Sequence, residues 1–126
     1  MPRTHVAFYQ EADGEPPVVN WLRELLRTNE RAWSNCRARI ELLAQSGHEL
    51  RRPAADYLRD GIYELRAKQG RAQYRLLYFF HGRRVAILAH SLTKEDKVPN
   101  ADIERAIKRK RLFESNPEAH TYESEN

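Results

Sequence analysis

A chain of 126 residues, 40% hydrophobic and 32% charged, has room for one globular domain with a modest core and none for a second. No apolar run approaches the ~18 residues of a membrane span, the start lacks the apolar stretch of a secretory signal, and a single cysteine, Cys36, excludes an internal disulfide or a cysteine-cluster metal site. The net charge of +4 is concentrated: residues 51–111 hold 16 basic and 7 acidic side chains, a balance of +9, against −1 before them and −4 after, which points to a polyanionic partner, nucleic acid rather than membrane, for a protein expected to be soluble and cytoplasmic.

Thr4 to Gln10 is rich in β-branched and aromatic residues and runs into the breaker cluster Asp13-Gly14-Glu15-Pro16-Pro17, which predicts a strand and a turn. Val18, Trp21, Leu22, Leu25 and Leu26 then recur at helical spacing behind Pro17, so a helix is expected to end near Asn29. Trp33, Cys36, Ile40, Leu43 and Ala44 mark a second helix that stops at Gly47, and both tryptophans read as core. Beyond it the period drops to two. Ile62 to Lys68, Gln73 to Phe80 and Arg84 to Leu92, with turns at Gly70 and His81-Gly82-Arg83, predict an antiparallel meander. Pro99 opens a last helix around Ile103 and Ile107, acidic early and basic late as the helix dipole favours. Residues 1–113 thus form one domain, and 114–126 read as an acidic, flexible tail. The fold class is α+β: order β-α-α-β-β-β-α, a small twisted, mainly antiparallel sheet of four strands, two N-terminal helices on one face, a C-terminal helix, and the other face open.

A hairpin centred between Gly70 and Arg71 sets Arg66 directly opposite Arg75. Opposed like charges destabilise a strand pair by about a few tenths of a kcal/mol, so two arginines there suggest an anion held between guanidinium groups, most simply a phosphate. The other reading is an ion pair between one of them and Glu64, which shares the strand face of Arg66. With Arg75 on the open face, its loss is expected to cost little stability. Lys94 and Lys97 lie in the loop leaving the last strand, where they can reach over that face. Lys68 and Arg71 flank the Gly70 turn as further phosphate ligands. His90 is the one histidine inside this region and a candidate acid or base. Tyr63, Tyr74 and Tyr78 are either stacking platforms for bases or core, with Tyr78 placed beneath the helices.

The series Tyr63-Glu64-Leu65-Arg66, Tyr74-Arg75-Leu76-Leu77-Tyr78, and Ala89-His90-Ser91-Leu92-Thr93-Lys94-Glu95-Asp96-Lys97-Val98-Pro99 followed by Asp102-Ile103-Glu104-Arg105-Ala106 resembles the phage-derived HigB-like branch of the RelE/ParE toxin superfamily. The similarity is strongest from Gly61 to Arg111 and weak before Trp21. It implies the toxin of a type II toxin–antitoxin pair, a small twisted sheet with helices on one side, and a metal-independent endoribonuclease (mRNA interferase) that cuts messenger RNA on the ribosome and needs no cofactor. It also implies a small cognate antitoxin, expected to be a helix-turn-helix protein, that covers the basic face. Arg66 and Arg75 match the paired arginines of the motif, and Lys94 and Lys97 its loop lysines. Many relatives carry adjacent lysines in that loop, whereas Thr93 and Glu95 flank Lys94 here and lower the local positive charge. RNA cleavage of this kind needs a base for the 2′-hydroxyl, stabilisation of a charged phosphorane-like state and a proton for the leaving 5′-oxygen. Lys94 and His90 are alternative candidates for the proton transfers. Two other readings stay open: a gyrase-inhibiting toxin, as in the ParE branch, and a non-catalytic nucleic-acid-binding module on the same fold.

Overall fold

The structure, a computed structural model, describes residues 3–93 and 96–123. In chain order it contains β1 (His5–Tyr9), α1 (Pro17–Thr28), α2 (Glu30–Ser46), a 3-10 turn (Gly47–Glu49), β2 (Ala55–Arg59), β3 (Ile62–Gln69), β4 (Ala72–His81), β5 (Val85–Thr93), α3 (Asn100–Ser115) and β6 (Thr121–Tyr122). Among the described residues no helix is long and apolar enough to cross a membrane.

Asn29 makes the corner between the first two helices. Its backbone N–H donates to Leu25 O at 2.7 Å and so closes α1, while its side-chain oxygen accepts from Ala32 N at 3.1 Å and so opens α2. Gly47 ends α2 with a φ of +54°, and a Cβ at that position would meet Thr4 Oγ1 at 2.3 Å, so glycine is required both by conformation and by the approach of the strand.

The sheet has six strands in the order β2-β3-β4-β5-β1-β6 rather than the four expected. β1 lies parallel to β5 and every other pair is antiparallel. The two additional strands are edges. β2 is short, carries Asp56 and Arg59, and shifts register between Tyr57 and Arg59, so it shows no clean alternation. β6 has only two residues. Where the sequence suggests a loose tail, α3 continues through Ser115 and Thr121–Tyr122 pair with β1. Next to them His120 is buried, stacked on Tyr9 at 5.3 Å, and its Nδ1 donates to Gln10 O at 2.9 Å.

Both faces of the sheet are packed. Val18, Cys36 and Leu43 from α1 and α2 meet Leu65, Leu76, Tyr78 and Leu88 on one side; Ile107 and Phe113 from α3 meet Ile62, Leu77, Phe79 and Ile87 on the other. The second face is therefore not open throughout, because the Ile103/Ile107/Phe113 stripe of α3 needs an apolar surface and this is the one that remains. Trp21 joins the first cluster, edge-on to Tyr74 at 6.1 Å. Trp33 does not: it is half-buried and belongs to neither cluster. The β4–β5 register shifts at Leu77, which faces His90 while Tyr78 faces Leu88. Ala89 is thus an extra residue, and Ala89 and His90 both turn toward α3.

Candidate functional site

α3 covers only part of its sheet face. Toward the Gly70 turn the same face continues as Glu64, Arg66 and Lys68 on β3 and Gln73 and Arg75 on β4, and there the side chains are polar. Arg66 stands opposite Arg75, as the spacing predicts.

The two arginines have different surroundings. Arg75 is 4% exposed: its Nη1 pairs with the Glu64 carboxylate, its Nη2 donates to Gln73 Oε1 at 2.8 Å and to the Asp96 carbonyl at 3.3 Å, and its buried Nε has no partner among the described residues. The ion-pair reading therefore describes Arg75, and the expectation of an open, dispensable Arg75 is corrected. A guanidinium enclosed between a strand and the segment entering α3 needs a carboxylate beside it, and Glu64 supplies one from the neighbouring strand. Arg66 is half-buried and joins no ion pair among the described residues. It lies close enough to Asp56 to help lower that carboxyl's pKa, an effect due first to the hydrogen bond from Arg52.

Beside the Glu64–Arg75 pair, between β2 and the start of α3, is a cleft of about 350 Å³ walled by Tyr57, Arg59, Glu64, Lys97, Asn100 and Ile103. Lys97 is exposed on its rim. Arg59 is bound to Glu104 at 2.6 Å and to Asp60 at 2.7 Å. Lys68 is exposed opposite Gln73, and Arg71 is exposed in the turn, so Arg66, Arg75, Lys68, Arg71 and Lys97 gather at one end of the molecule. Lys94 lies outside the described residues.

His90 belongs to a different set of contacts. Its Nε2 donates to Asp102 Oδ1 at 2.7 Å, and its Nδ1 accepts from Arg109 Nη1 at 3.2 Å. Arginine only donates, so the proton sits on Nε2 and the ring is neutral in this arrangement. Burial pushes the imidazole below its ordinary value of 6.5; the Asp102 bond opposes this, and Arg109 and Arg105 reinforce it. Arg109 also donates to Ala89 O and reaches Glu11, so the ring locks β5 to α3.

Of the three tyrosines, Tyr78 and Tyr74 are buried against the α1/α2 side and Tyr63 is half-buried there. The open aromatic residue is Tyr57, 52% exposed at the cleft, which the sequence reading missed along with β2. The signal was Asp60-Gly61 between two apolar pairs: both residues have positive φ, +52° and +82°, as a tight hairpin turn requires.

No curated protein matches the chain. Residues 20–111, which run from within α1 to within α3 and include Arg66, Arg75, Lys97, Lys68, Arg71 and His90, match the family described as Phage derived protein Gp49-like (DUF891). A match over that share of the sequence, carrying the whole arginine-bearing hairpin, places the chain in a family: it belongs to the Gp49-like phage-derived proteins, RelE-like toxins of toxin–antitoxin pairs.

Proposed function

We propose that the chain is a toxin of the HigB-like branch that cleaves messenger RNA on the ribosome without a metal, and that it is held inactive by an antitoxin of helix-turn-helix type. The observation that carries this reading is the pairing of Arg66 with Arg75 on the part of the sheet face that α3 leaves uncovered. Arg66, free of any ion pair among the described residues, contacts the scissile phosphate directly. Arg75, its charge taken up by Glu64, acts by position: it holds the Asp96 carbonyl and so the Lys97 corner beside Arg66, and preorganised donors are the ones most effective on a developing phosphorane. Lys97, Lys68 and Arg71 track neighbouring phosphates.

In the reaction a base takes the 2′-hydroxyl proton, the 2′-oxygen attacks phosphorus, and the 5′-oxygen leaves with a proton, giving a 2′,3′-cyclic phosphate and a 5′-hydroxyl. His90 has both ring nitrogens engaged, so in this proposal it positions α3 and the loop before it. Lys94, which follows Thr93 at the end of β5 in sequence, is the base.

Induced expression with mapping of 5′ ends on translated messages tests the reading. Wild type should arrest growth and cut messages, and Arg66→Ala should lose most cleavage while keeping the fold. Intact messages accompanied by gyrase-linked DNA breaks would assign the gyrase-inhibiting function, and growth without either effect would assign a non-catalytic module.

A further inference from the structure

α1 has more apolar surface than the core uses. Val18, Trp21 and Leu25 turn to the sheet, while Val19, Leu22 and Leu26 follow one another along the helix edge, Leu22 with one side still against the sheet cluster and Leu26 41% exposed. With Phe8 of β1, Trp33 of α2 and Tyr122 of β6 these three wall a groove of about 290 Å³. This is where Trp33, on an apolar helical stripe yet outside both core clusters, finds its surroundings. A second cleft continues from Trp33 along α2 past Ser34, Arg37 and Ile40.

Arg23 and Arg37 stand on the rim, with Glu41, bound by Arg3, in the second cleft beside Arg37. Arg23 donates to the Tyr122 hydroxyl at 3.2 Å, the Arg37 guanidinium lies 5.4 Å from the Trp33 ring, and neither joins an ion pair among the described residues. Half-buried Trp33 and Tyr122 with exposed Arg23 and Arg37 around an apolar floor are the residue types that dominate protein–protein binding energy. A second copy of this chain is a poor occupant, since a two-fold contact here would bring four arginines, Arg23 and Arg37 of each copy, into one interface. RNA is a poor one too, because the floor offers phosphates no donors.

We propose that this groove docks an amphipathic helix of the antitoxin, with apolar residues at i, i+3 or i+4, and i+7 in the groove and acidic residues flanking them against Arg23 and Arg37. The inference rests on the toxin–antitoxin reading. It places the neutralising partner on the α1/α2 side of the sheet, the face opposite Arg66 and Arg75, rather than on the basic face.

The test is co-expression with the product of the adjacent reading frame, titration of that protein against the purified chain, and growth with and without it. Leu26→Asp and Trp33→Ala should each weaken the complex about tenfold or more, and Arg105→Glu, exposed on α3, should leave it within about twofold. Leu26→Asp without the partner should keep the far-ultraviolet spectrum and the toxicity of wild type. The proposal is overturned if both groove variants bind as wild type, if Arg105→Glu abolishes binding while they retain it, if no complex forms with the adjacent product, or if the isolated chain is a dimer that Leu26→Asp dissociates. A chain that cuts no RNA but still loses its partner through Leu26 removes the nuclease reading and leaves this docking site standing.

Discussion

The α3 side of the sheet divides into two regions built from the same two strands. Ile62, Leu77 and Phe79 lie beneath α3 and are fully buried apolar side chains; Glu64, Arg66, Lys68, Gln73 and Arg75 continue the same face and are polar, all but Gln73 charged. What separates them is where the helix begins. Under the cover, burial stabilises the fold; beyond it, the fold tolerates charge, and encloses one guanidinium only because Glu64 is paired with it. The regions should therefore respond oppositely to mutation, one in stability and the other in activity.

The largest effect is expected under the helix. Phe79→Ala removes a ring packed edge-on against Phe113 at 5.5 Å and should cost about 3–5 kcal/mol, read as a lower denaturant midpoint at unchanged slope. Arg66→Ala should stay within about 0.5 kcal/mol. Comparable losses in the two variants would mean that the division is not real. Between these extremes lies the enclosed pair: Glu64→Ala and Arg75→Ala each strand a buried charge and should cost about 3 kcal/mol, whereas Glu64→Leu combined with Arg75→Met should cost less than either. If the single variants unfold at the wild-type midpoint, the pair is solvated and Arg75 behaves like Arg66.

The sequence carried the meander, the helix order and the Arg66–Arg75 register, because alternation and the Gly70 turn specify them locally. It did not carry the extent of α3's cover, a tertiary property: Arg75 and Leu77 alternate alike on β4, and only the position of α3 makes one a site residue and the other core. The bulge at Ala89 defeated strict alternation, since Ala89 and His90 share a face despite being adjacent. β2 was missed for its brevity, although Asp60-Gly61 signalled it, and β6 is too short for any periodic pattern. Trp33 shows the limit of stripe reading: helical spacing places it on an apolar edge without saying whether that edge meets the core or a groove.

A smaller, pH-dependent effect distinguishes His90 from the arginine-bearing end. Its folded pKa lies below the ordinary 6.5, so as pH falls through that value the unfolded chain takes up a proton that the native ring resists, and stability declines. The groups facing the ring are Asp102, which opposes this direction, and Arg109 and Arg105, which favour it. Urea unfolding from pH 7 to pH 5 should show wild type losing more stability than His90→Gln. Should wild type instead gain on acidification relative to the variant, the Asp102 bond outweighs burial and the ring is charged. In cleavage, His90→Gln should leave the pH profile nearly unchanged if the ring only positions α3; a flattened profile would make it an acid or base.

The smallest expected effect is at Lys97, and it sharpens the polar region most. The ammonium group is on an exposed residue at the rim of the cleft beside Glu64. The neighbouring Asp96 joins the same corner to the site, its carboxylate accepting from Lys97 N at 2.9 Å and its carbonyl from Arg75. An exposed lysine of this kind should change stability by no more than about 0.5 kcal/mol when replaced. Its effect on RNA should be electrostatic and independent of sequence: Lys97→Gln weakens binding of a short single-stranded RNA and lowers the salt dependence by about one unit, the release of roughly one counterion. Arg59 is the control on the opposite wall, since Glu104 and Asp60 already neutralise it, and Arg59→Gln should leave the slope unchanged. Equal slopes for wild type and Lys97→Gln would show that RNA does not pass this corner, and the polar half of the face would then have to bind its anion from the Gly70 turn, through Lys68 and Arg71.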